Sequence, residues 1–124
     1  MQHKSPKSSI RDINKNYILC DGRITRLEFS FDNKELNVDL EIRKLISSKK
    51  SHDCKVRLTF IDVAVFEIFE DFPTNGQYSD ITLIELGDQE LYISFDPYGN
   101  SGKPNEQDNW IIKSKNVELI ELQT

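Results

Sequence analysis

At 124 residues, with 16 Lys+Arg against 21 Asp+Glu, the chain has room for one domain and carries a formal net charge of −5. A 37% hydrophobic share excludes a disordered chain, and no unbroken apolar run is longer than four residues, as in Val63 to Phe66, which excludes a helical membrane span of roughly 20 residues. The negative balance also counts against a nucleic-acid binder, which normally shows a basic footprint.

The apolar residues are lopsided. Ile, Val, Phe, Tyr and Trp together number 31, against 13 for Leu, Ala and Met, and Ala64 is the sole alanine. β-Branched and aromatic side chains fit a pleated surface, whereas alanine is the best helix former. The composition therefore predicts a mainly β or α+β fold.

Residues 1–16 are polar and basic, with Pro6 among several serines, and read as a flexible arm before a single β-rich domain over 17–124. They lack the apolar stretch of a secretory signal. Tyr17 to Cys20 run into Asp21-Gly22, a turn signal. Arg23 to Phe31 then set Leu27, Phe29 and Phe31 on one face. Beyond Asp32-Asn33-Lys34, Leu36, Val38, Leu40 and Ile42 point inward while Asn37, Asp39 and Glu41 point outward. Two alternating runs around a short polar turn predict a hairpin with one wet face.

Residues 47–53, SSKKSHD, read as a loop, and Val56, Leu58 and Phe60 resume the alternation. The stretch 61–72, IDVAVFEIFEDF, fits a helical stripe or a strand, and the composition tips it to a strand with a bulge. FPTNGQYSD reads as a loop. Residues 81–86 and 90–95 form a second hairpin around 87–89. Residues 96–109, DPYGNSGKPNEQDN, make a long loop, and 110–113 with 117–122 close the chain as one or two strands. About seven mostly antiparallel strands imply a curled sheet, a sandwich or a partly open barrel.

Chemistry-bearing patterns are sparse. Cys20 and Cys54, without a secretory signal, read as reduced and buried. His52-Asp53-Cys54 has neither a local nucleophile signature nor paired metal-ligand spacing. The loop from Asp96 to Asp108 is rich in oxygen ligands, but its sixth and twelfth positions are Ser101 and Gln107, so it departs from the EF-hand order. No phosphate-cradling glycine motif or catalytic triad pattern appears. The expectation is a non-enzyme with no metal and no cofactor.

Charge is unevenly spread. Residues 1–57 hold 13 Lys+Arg and 8 Asp+Glu, a surplus of +5, while residues 58–124 hold 3 and 13, a balance of −10. An acidic face would steer a basic partner and raise its association rate. Long loops are often functional, and Tyr and Trp are enriched at binding hot spots. The candidate partner-binding set is therefore Asp96, Tyr98, Glu106 and Asp108, with Trp110 and Asp71 as weaker members.

The words DGRITRLEF (21–29), VRLTFIDVAVF (56–66), DITLIEL (80–86), ELYISFDPYG (90–99) and NWIIKSKNVELIEL (109–122) follow one another in an order that resembles small bacterial immunity-type proteins of polymorphic toxin systems. SFDPYG (94–99) and DNW (108–110) are the most recognisable of them. The resemblance covers about residues 18–122. It implies a cytoplasmic protein that binds and neutralises a cognate, basic toxin domain, with no nucleic-acid or membrane partner. The alternative is a small-molecule or ion-binding β domain that uses the acidic loop over 96–108.

Overall fold

The computed structural model describes residues 5–72, 75–87, 89–99 and 101–122. Helix α1 spans Pro6–Asn16, followed by strands β1 (Tyr17–Ser30), β2 (Glu35–Ser47), β3 (Lys50–Glu67), β4 (Thr82–Leu86), β5 (Glu90–Asp96) and β6 (Asn109–Glu121). All six strands join one antiparallel, unclosed sheet in the order β1-β2-β3-β6-β5-β4. The mainly β, single-domain expectation holds, with six strands instead of about seven because β6 is continuous from 109 to 121.

The alternation in β2 does what its period requires. Leu36, Val38 and Leu40 lie opposite Phe60, Leu58 and Val56, and all six are buried on one face. Ile112 and Val117 from β6, and Leu91, Ile93 and Phe95 from β5, extend that layer. Burying each such side chain contributes roughly 1.5–3 kcal/mol. On the opposite face Asp39 is also buried, because Arg57 clamps it with Nε to Oδ1 at 2.7 Å and Nη2 to Oδ2 at 3.1 Å.

Four expectations need correction. Residues 6–16 are not a loose arm. Ser5 caps α1 by accepting from the Ser8 N–H at 3.2 Å, Pro6 occupies the first turn, and Pro6, Ser9 and Ile13 are buried against the core face. Asp21-Gly22 is a bulge inside β1, not a turn, with Asp21 at φ 57. Residues 50–53 belong to β3, because there the hairpin projects past its neighbours and both faces are wet, which suits polar side chains. Phe31, expected on one face with Leu27 and Phe29, falls in the β1–β2 turn and is 85% exposed, although its ring still stands edge-on to Phe29 with centroids 5.0 Å apart. The 61–72 stretch is strand as far as Glu67, with a bulge between Val63 and Val65, and then leaves the sheet. The cysteines are free and half-buried.

Residues 76–79, between β3 and β4, bind the bulge in β1. The Asp21 N–H donates to Ser79 O at 2.7 Å, the Tyr78 N–H to Gly22 O at 3.0 Å, and the Ile24 N–H to Gly76 O at 3.0 Å. Tyr78 is buried and its hydroxyl donates to Leu19 O at 2.7 Å. Gly76, at φ +79, is required here, since a Cβ would stand 2.5 Å from Ile24 O.

Strand order separates the two charge balances only in part. β1 and β2 belong to the basic stretch and β6, β5 and β4 to the acidic one, while β3 carries the 57/58 boundary between them. The two stretches also meet away from β3, since residues 76–79 pair with the β1 bulge and α1 packs against β4 and β6.

Candidate partner-binding site

Three consecutive residues where β6 begins, Asp108, Asn109 and Trp110, tie two irregular segments together. Asp108 is 1% exposed. Its Oδ1 accepts the Tyr98 N–H at 2.7 Å and its Oδ2 the Asn105 N–H at 2.9 Å. The same Oδ2 accepts a short bond from the Tyr92 hydroxyl. Burial, followed by the hydrogen bond and charge of Asp108, holds the Tyr92 phenol well above its usual range, so it stays a donor. One carboxylate thus shapes the loop between β5 and β6.

Asn109 does the same for the segment that follows β3. Its Oδ1 accepts from the Phe69 N–H at 2.7 Å and the Glu70 N–H at 3.2 Å, while its Nδ2 donates to Glu70 O at 2.7 Å and Asp96 Oδ2 at 3.2 Å. Trp110 adds Nε1 to Glu70 O at 3.0 Å and stacks on Phe72 with ring centroids 4.5 Å apart. Trp110 adopts φ 54, a left-handed backbone uncommon for a bulky residue.

The six sequence-predicted residues therefore come to one region in different roles. Tyr98, Glu106 and Asp71 are exposed, and Asp96 is half-buried. Asp108 and Trp110 are buried and act on the architecture, so they are corrected from contact residues to supports. Asp71 Oδ1 accepts the next residue's N–H at 2.8 Å.

Beside them opens a cleft of about 700 Å³, which Phe72 and Tyr78 help to line. Asp21, Glu41, Asp80 and Asp96 face it, against one cation, Arg23, whose guanidinium lies 3.7 Å from Glu41. Sequence reasoning missed Asp21, Asp80, Phe69 and Asn109. Asp21 and Asp80 join the site only through the long-range pairing of the β1 bulge with residues 76–79. Phe69 sits with Ile68 between Glu67 and Glu70, with nothing local to mark it as exposed.

The other candidate chemistry finds no support. His52 is exposed opposite Lys44. Burial, then the charge of Glu121, pushes the Cys54 thiol up, the wrong direction for a nucleophile. Among the described residues no three His, Cys, Asp or Glu side chains converge where they could hold a metal ion. His3, the other histidine, lies outside the described residues. No described helix is long and apolar enough to cross a membrane.

Comparisons with protein-family models, curated proteins and solved structures return no match for this chain.

Proposed function

We propose that this protein is a non-enzymatic, cytoplasmic inhibitor of the immunity type, which docks its acidic half on a basic toxin domain. The observation that carries the reading is the charge layout. A balance of −10 belongs to residues 58–124, which supply β4, β5, β6 and part of β3, and exposed Asp71 and Glu106 with half-buried Asp96 lie on the two segments that Asp108 and Asn109 tie together. Such a field steers a cationic surface toward it and sets the register of docking. Neither nucleic acid nor membrane belongs to this role.

The test begins at the neighbouring reading frame: if it ends in a variable toxin domain, that domain is co-expressed with this chain. A stable complex is expected, and Asp71→Lys, Asp96→Lys and Glu106→Lys together should slow its association at low salt. Absence of a complex, or an unchanged rate in the triple variant, overturns the proposal. Asp108 is left out because its charge is buried and its loss would disturb the loop.

A second reading rests on the cleft. Four acidic side chains around about 700 Å³ suit a small cationic molecule. Polyamine titration followed by thermal melting separates the two, since a ligand of the native state raises the midpoint.

A further inference from the structure

We infer that Phe69 and Tyr98 are the anchoring contacts of the acidic docking face, and that they receive a cationic protein surface. This inference rests on the inhibitor reading and names the part of the surface that carries affinity. Phe69 is 64% exposed and Tyr98 59% exposed. Aromatic side chains left open in this way are of the type enriched in interface cores.

The two rings stand on backbones anchored to adjacent residues. The Phe69 N–H is held by Asn109 and the Tyr98 N–H by Asp108, both at 2.7 Å. Each aromatic is thus presented on a fixed backbone, and binding needs little further ordering of the chain. Tyr in particular supplies large contact area with few rotatable bonds.

The chemistry of the occupant follows from what surrounds the rings. Glu70 and Asp71 follow Phe69 in the chain and are exposed, while Asp96 precedes Tyr98 and Glu106 lies exposed in the same loop. Carboxylates that neighbour exposed aromatics in the chain suit Arg or Lys side chains, which pair with the former and lie over the latter. Ile68, 43% exposed, widens the apolar contact. Phe31 offers an internal contrast, because it is more exposed but sits in the β1–β2 turn, in the basic half.

Phe69→Ala, Tyr98→Ala and Phe31→Ala test the inference, each checked for an unchanged melting temperature. Against the toxin domain of the neighbouring reading frame, the first two should each weaken binding at least about tenfold. Phe31→Ala should change it less than about twofold. Wild-type binding with no loss in Phe69→Ala and Tyr98→Ala overturns this inference while the inhibitor reading stands. If the wild type itself does not bind that domain, the inhibitor reading fails, and a second measurement decides the inference. The ¹⁵N-labelled chain is titrated with a synthetic arginine-rich peptide. Amide shifts concentrated at Phe69, Tyr98 and Glu106 support a cationic occupant. Shifts spread over all acidic positions, or a concentration-dependent dimer abolished by Phe69→Ala, overturn it.

Discussion

Asp108→Asn isolates the carboxylate that shapes the β5–β6 loop. The substitution keeps the size of the side chain but turns one acceptor oxygen into an NH₂ donor. In the native protein Oδ1 and Oδ2 together accept two backbone N–H groups and the Tyr92 hydroxyl. Whichever way the new amide turns, its nitrogen faces a backbone N–H, that of Tyr98 or that of Asn105. An unsatisfied buried donor costs about 1–3 kcal/mol, and the remaining bonds lose their charge assistance. A total near 3 kcal/mol is expected. Unfolding entropy is about 2.1 cal/mol/K per residue, so a chain of 124 residues should melt about 12 °C lower. Tyr92→Phe removes one donor and leaves both backbone bonds intact, so it should cost about 1 kcal/mol and about 4 °C. Reversible thermal melts read both values. An Asp108→Asn midpoint within about 2 °C of the wild type would refute the claim that this carboxylate organises the loop.

Gly76→Ala should cost roughly 2–3 kcal/mol, since the new methyl would meet Ile24 O in a left-handed backbone, and urea unfolding measures it. Glu121 has a pKa lowered by hydrogen bonds from Lys44 and then Tyr17. A depressed carboxyl adds stability above its unfolded pKa of about 4.3 and loses it as pH falls through the lower folded value. Glu121→Gln should therefore flatten the acid limb of a urea-midpoint profile below about pH 5 and leave its slope near pH 7 unchanged. The Cys54 thiol, raised by burial and then Glu121, should react with iodoacetamide at pH 7.5 more slowly than free cysteine. Faster labelling than the free amino acid would contradict that microenvironment.

Legibility in the sequence followed how local the cause was. Leu36, Val38, Leu40 and Ile42 alternate with polar residues because their strand has one buried face, and the pattern alone placed them. SSKKSHD misled because polarity reports solvent contact, and a projecting hairpin is wet on both faces while still a ladder. The α1 helix had its start written out as Ser5-Pro6. Only Ile10 and Ile13 among its residues are apolar, too few for a visible stripe. At the candidate site, the loop and its acidic and aromatic residues were readable as a group. Glu106 and Asp108 look alike in sequence, and only three converging donors make the second a buried support. The cleft was not readable at all, because Asp21 and Asp80 meet Asp96 only through pairing across more than 50 residues.

Hydrogen exchange of the chain with and without the proposed toxin partner tests the central claim most directly, because it maps the covered surface without mutation. The account predicts slowed exchange in the peptides carrying Phe69 and Tyr98 and none in the β1–β2 turn around Phe31. Protection confined to β1, β2 or α1, with the Phe69 and Tyr98 peptides unchanged, would contradict it.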